Sequence, residues 1–228
     1  MLVQKELKNA YIGKYQEWWQ PWVNTIAYYP LDSTNTVNDM SGNSHTLTNN
    51  WATFWTYQWV DCWAFLNDTN AYASINTLPL GDSDRTLSAW VYIVDVYSSQ
   101  WDFFWYGTES NWKDSSLNQI QSGFNWIGFR RRINDAVDTS WIIFTWAWHH
   151  MVWVKNSSGM YFYYDWNLLA SSIGTTMSTE AYTLYLGKWF VWTDVSVYLS
   201  NAIVEDKAWT AQEISDYYNQ TKSLYGIS

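Results

Sequence analysis

The residues that could do chemistry in this 228-residue chain are few and scattered. Glu109, Glu180, Glu205 and Glu213 stand apart, and Glu205-Asp206 are neighbours whose side chains would face opposite ways on a strand. Glycoside hydrolysis needs two carboxylates flanking one bond, and no such pair can be nominated. No nucleophile elbow, phosphate-binding loop or dinucleotide fingerprint occurs. His149-His150 is an adjacent pair of metal-type ligands, but consecutive strand residues point to opposite faces, which favours two structural histidines. Cys62 is the single cysteine, so an internal disulfide framework and a cysteine-rich zinc site are both excluded; beside Ala64 and Phe65 it reads as a small buried apolar residue. What remains is recognition. Sugars are bound by exposed aromatic faces with Asn and Asp hydrogen bonds beside them, and Tyr57, Tyr97, Trp101 and Tyr106 are candidates for that role. The competing reading for any one of these rings is sandwich core.

Charge narrows the partners. The net charge of −9 leaves no basic stripe to neutralise phosphates, which disfavours nucleic acid. Arg130-Arg131-Arg132 is a lone basic cluster, best read as a solvated strand end. Hydrophobic residues make up 48% of the chain, enough for a core, yet no apolar run reaches membrane-spanning length. The opening MLVQKELKNAYIG lacks the apolar stretch of a signal peptide, so a secreted protein of this kind would carry its signal outside this chain, as part of something longer.

The elements that must position any site read as strands. Ala147 to Ser172 alternates apolar and polar residues, interrupted by Asn156-Ser157-Ser158-Gly159 and Asp165-Trp166-Asn167, which predicts an antiparallel meander. Strands are also predicted at 25–31, 62–66, 71–75, 85–94, 103–107, 123–130, 142–145, 182–188, 194–199 and 202–205. In 85–94, Leu87, Ala89, Val91 and Ile93 share one face. Thr210-Ala211-Gln212-Glu213 is a capping box opening a C-terminal helix that runs to about Lys222. Residues 2–12 carry apolar residues at helical spacing before Gly13, and 17–24 reads as linker. The organisation expected is an N-terminal helix or linker over 1–24 and an all-β antiparallel sandwich over 25–228, closed by the terminal helix.

Three segments resemble one superfamily, the laminin-G-like/concanavalin A-like lectins and glucanases. Trp148-His149-His150-Met151-Val152 with its two following turns is similar to that group's W-H-H-V meander, Arg85 to Val91 to its T-I-S-A-W-V strand, and Lys207 to Ile214 to its closing R-A-L-S-x-x-E-I. The resemblance covers about 25–222 and implies a jelly-roll sandwich. The superfamily's glycosidases carry an E-x-D-x-E strand that has no match here. The expected function is therefore a non-catalytic recognition module of a bacterial surface or secreted protein, binding carbohydrate or another surface polymer at the cell surface. A structural or adhesion spacer without a small ligand is the alternative, and a divergent glycosidase a distant third. The resemblance also implies Ca²⁺, which takes six to eight oxygens; Asp32, Asp39 and Asn43 in one loop and Asp68 and Asn70 in another are the candidate ligands, and serve equally well as Asx-turn residues.

One feature of the composition conflicts with everything else. There are 20 Trp and only 10 Gly in a turn-rich chain. Trp follows a turn-former at Asn50-Trp51, Asn111-Trp112, Asn125-Trp126, Ser140-Trp141 and Asp165-Trp166, where glycine would give ordinary turns. Glycine at 51, 55, 59 and 63 would likewise restore the superfamily's pattern, whereas Trp90 and Trp148 fall where it has Trp. The expectation is that many of these residues are glycine in the natural protein, through a UGA codon read as glycine in some bacteria and written as tryptophan here.

Overall fold

The computed structural model describes residues 23–33, 37–66, 69–95, 100–107, 114–121, 126–131, 135–137, 146–174, 176–177, 179, 183–187 and 196–228. The N-terminal helix expected over 2–12 and the strand expected over 142–145 lie outside them.

Alternating strands pair into two antiparallel sheets. The first contains β1 (Thr25–Tyr29), β3 (Thr53–Tyr57), β4 (Val60–Leu66), β6 (Arg85–Asp95), β11 (Trp148–Asn156), β12 (Gly159–Tyr164), β13 (Asn167–Ile173) and β15 (Ser196–Glu205). Their order is β13-β12-β11-β6-β15-β4-β3, with β1 pairing onto β15. The second contains β2 (Thr48–Asn50), β5 (Asn70–Ser74), β7 (Gln100–Gly107), β8 (Asp114–Gln121), β9 (Trp126–Arg131), β10 (Asp135–Val137) and β14 (Thr183–Leu186), ordered β10-β9-β8-β7-β14-β5-β2. The long crossovers between sheets, as in β5 to β6 and β14 to β15, make a sandwich rather than a single meander.

The period of two explains the packing. Leu87, Ala89, Val91 and Ile93 of β6 face the other sheet, and with Phe65, Ala71, Phe104, Leu184 and Val197 they form the inter-sheet core. The alternate residues Trp90 and Tyr92 do not face water; they join a second core with Val152, Val154 and the helix α1 (Ala211–Thr221), through Ile214, Tyr217 and Tyr218. The central strands of the first sheet are thus buried on both faces, which is why β6 reads as a nearly continuous apolar run.

The two segments expected at 194–199 and 202–205 are one strand, β15. Its pairing with β6 is interrupted between Ser200 and Ile203, and Asn201 sits at φ 51°. A β-bulge accounts for both: the sequence pattern breaks while the strand continues. The helix begins as expected. Thr210 Oγ1 accepts from the Glu213 amide at 3.2 Å, and the Glu213 carboxylate accepts from the Thr210 amide at 2.8 Å. Thr210→Ala removes one half of this box and is expected to cost about 1 kcal/mol, read as a lower urea midpoint with unchanged slope.

Candidate functional site

A two-sheet sandwich has four sheet faces. Two meet in the core, and α1 covers part of a third. The outer face of the second sheet is the fourth, and its residues follow from register. Ala71 and Ala73 of β5 and Leu184 and Leu186 of β14 point into the core. Tyr72 and Tyr185 between them must therefore point outward. They lie directly opposite each other across the β5–β14 ladder, and Tyr185 is opposite Trp105 across the β14–β7 ladder. The three rings form a row at right angles to the strands, with centroids 6.1 Å apart for Tyr72–Tyr185 and 4.6 Å for Tyr185–Trp105. Trp105 is buried, and Tyr72 and Tyr185 are partly buried.

Polar side chains flank the row. Asn70 and Ser74 precede and follow Tyr72 at the same strand parity, and Thr183 precedes Tyr185 at the same parity. Asn50 lies opposite Asn70 on β2, and its Nδ2 donates to Asn70 Oδ1 at 3.2 Å. The described residues of this patch are amides, hydroxyls and aromatic rings without charge. That combination suits a neutral polyhydroxylated ligand, with apolar ring edges against C–H faces and amides against hydroxyls.

The aromatic candidates from sequence fare differently. Tyr106 is fully buried in the inter-sheet core, its hydroxyl donating to Pro79 O at 2.8 Å, so it cannot meet a ligand. Its neighbour Trp105 has the outward parity but is itself buried, packed on Tyr185, so of the row only Tyr72 and Tyr185 are partly exposed. Tyr57 packs beside Tyr92 and Tyr198, at centroid distances of 4.5 and 4.7 Å, and its hydroxyl donates to Tyr92 Oη. It belongs to the other sheet and to the second core. Tyr97 and the side chain of Trp101 lie outside the described residues. Tyr72, Tyr185 and Asn50 are not among the candidates that the sequence suggests. A signal was present in NAYAS and TLYL, where small or apolar residues on both sides of a tyrosine place the ring on the opposite face.

The loop proposed for calcium is held by its own hydrogen bonds. Asp39 Oδ1 accepts from the amides of Tyr28 and Ser41, each at 2.9 Å, and Oδ2 accepts from Ser41 Oγ at 2.8 Å and the His45 amide at 3.0 Å. Asn43 Nδ2 donates to the carbonyls of Thr25 and Ile26. Donors surround the carboxylate, so Asp39 and Asn43 fit an Asx-type loop anchor rather than a cation cage. Asn70 lies on the second sheet and Asp68 outside the described residues. Among the described residues, no three His, Cys, Asp or Glu converge on a point where a metal could sit.

The other titratable groups described make structural contacts. His149 Nδ1 lies 2.6 Å from Asp165 Oδ2, while His150 Nε2 lies 2.7 Å from Ser88 Oγ; the two rings diverge as strand geometry requires. Burial lifts the Glu205 carboxyl above the usual range despite hydrogen bonds from Trp209 and Thr25. Glu213 is in the capping box. Cys62 is buried, which pushes its thiol up to about 12. At one end of the sandwich, desolvation would raise the Asp82 carboxyl, but the Lys155 ammonium at 2.9 Å, the Met177 amide and the Arg85 charge hold it below its ordinary value.

No protein-family model matches the chain, and no curated protein sequence does. Solved structures of similar fold do. A Trypanosoma rangeli sialidase in complex with sialic acid aligns with a TM-score of 0.71 at 14% identity, over 90% of this chain and 34% of the sialidase. A structure of botulinum neurotoxin type C, whose cell entry depends on two ganglioside molecules, aligns at 0.68 and 12% identity, over 86% of this chain and 51% of that one. Domain 4 of a GH43 extracellular arabinanase from Geobacillus stearothermophilus, in complex with arabinotriose, aligns at 0.65 and 16% identity, over 85% and 97%. The chain covers about a third of the sialidase and half of the toxin structure. At these identities the likeness establishes the antiparallel β-sandwich fold.

Proposed function

We propose that this chain is a non-catalytic carbohydrate-recognition module, and that the outer face of its second sheet, around Tyr72, Tyr185, Asn50 and Asn70, is the binding face. The observation that carries the reading is the aromatic row with uncharged amides and hydroxyls on the one sheet face that neither core claims. The fold supports it, because its structural neighbours include an arabinanase domain in complex with arabinotriose and a toxin whose cell entry depends on gangliosides. Asn50, Asn70, Ser74 and Thr183, the described polar side chains around Tyr72 and Tyr185, carry no charge, which favours neutral oligosaccharides over sialylated ones. A net charge of −9 points the same way, by repelling acidic sugars at long range. An extracellular or cell-surface setting within a longer protein follows from that ligand class, as part of the same proposal.

The experiment is calorimetric titration with neutral oligosaccharides, arabino-oligosaccharides first, against the parent chain and Tyr185→Ala. Loss of a stacked ring at the centre of the row is expected to weaken binding about 10-fold or more, on the order of 1.4–3 kcal/mol. The melting temperature should change little, since Tyr185 is outside both hydrophobic cores. Equal affinity for the parent and Tyr185→Ala would remove this face from consideration. Because Asp39 and Asn43 are engaged by their own loop, binding is expected to survive calcium chelation in the same titration.

A further inference from the structure

Among the described residues, nine other than glycine occupy the left-handed backbone region, and four of them are tryptophan: Trp51 at φ 68°, Trp59 at 73°, Trp146 at 35° and Trp166 at 66°. That conformation drives Cβ against the following carbonyl, so glycine adopts it freely, Asn and Asp at small cost, and a bulky ring poorly. Two of the four are in hairpins. β3 passes to β4 through Gln58-Trp59, and β12 to β13 through Asp165-Trp166, with both loop residues at positive φ in each case. This is the type I′ turn, which calls for Asn-Gly or Asp-Gly.

The rings give nothing in return. Trp59 is 94% exposed, Trp51 87%, Trp146 68% and Trp166 48%. Trp63, Trp90, Trp148, Trp153 and Trp209, by contrast, are buried and lie outside the left-handed set. Among the described tryptophans two groups stand apart, one packed on ordinary backbone and one strained and exposed; Trp55, exposed on ordinary strand backbone, belongs to neither.

We infer that the natural polypeptide carries glycine at 51, 59, 146 and 166, each encoded by UGA that its host reads as glycine. The backbone adds position 146 to those that turn chemistry alone suggests. It gives no such support at 55 and 63, which lie in β3 and β4 outside the left-handed set. Positions 112 and 141 fall outside the described residues, as does the side chain at 126. At the edge of the binding face residue 51 pairs through its backbone with Asn70, a bridge that glycine would keep.

Peptide mass spectrometry of the protein from its native cells tests the inference, read beside the codons. Glycine at all four positions, from UGA, is the expected result, with tryptophan retained at 90 and 148. Tryptophan at any of the four, or UGG at its codon, overturns it there. A recombinant chain carrying Trp51→Gly, Trp59→Gly, Trp146→Gly and Trp166→Gly provides a second reading. It is expected to melt roughly 5–10 °C above the chain as written, the relief of strain exceeding the added freedom of the unfolded chain. An equal or lower melting temperature would contradict the backbone argument.

Discussion

Trp90→Ala is expected to lower stability by about 3–5 kcal/mol, a fall in melting temperature of roughly 10 °C. Trp90 is fully buried at the centre of the second core. Its ring stacks on Tyr225 at 3.9 Å and 10°, on Tyr218 at 5.6 Å and on His150 at 5.2 Å, and its Nε1 donates to Thr221 Oγ1 at 3.2 Å. It therefore joins the first sheet to the C-terminal helix, and its loss leaves a cavity and releases three aromatic contacts at once. Trp90→Phe keeps part of the stack and should fall between. Equilibrium urea unfolding measures both; a change below about 1 kcal/mol for the alanine variant would mean that the helix is not docked as described.

Acidification is expected to destabilise the protein well above the pH at which carboxylates titrate. Burial holds the His150 imidazole down to about 3, against an ordinary value near 6.5. Above about pH 6.5 the ring is neutral in both folded and unfolded chains and contributes no pH dependence. Below it, the unfolded chain takes up a proton that the folded chain refuses. Stability then falls by about 1.4 kcal/mol per pH unit until the folded ring also titrates, so about 2–3 kcal/mol is lost by pH 4.5. Asp82 and Glu213, held below their ordinary values, lose their contribution further down and add to the fall. Glu205, raised by burial, opposes it, because its folded carboxyl gains the proton first as pH drops. The check is the slope of unfolding free energy between pH 6.5 and 4.5. His150→Gln should flatten it whatever that variant does at neutral pH; an unchanged slope would show that this ring is not the acid-sensitive group.

The legible parts of the fold were those where local pattern and tertiary demand agree. Leu87, Ala89, Val91 and Ile93 alternate and face the core. The meander from Trp148 onward forms three strands, and the Thr210–Glu213 box caps the helix. Pattern failed where the backbone does something local. The irregularity beside Asn201 split one strand into two apparent ones, and the short edge strand β2 carries only TNN, too polar and brief to register. The site was less legible, because it depends on parity. Tyr106 and Trp105 are adjacent aromatics of equal appeal by composition, and only pairing with Leu184 and Tyr185 shows which faces out. Asp39 had the right chemistry for a cation, but its two oxygens are committed to four donors, three of them backbone amides that sequence does not show.

The measurement that bears most directly on the binding face is NMR mapping of a neutral oligosaccharide titrated into the chain with glycine at 51, 59, 146 and 166. The account predicts that the ring protons of Tyr72 and Tyr185 and the side-chain amides of Asn50 and Asn70 shift together and saturably, while Tyr57 and the residues around α1 stay in place. Saturable shifts confined to the first sheet or to the loop around Asp39, or no shift with any neutral glycan, would contradict it.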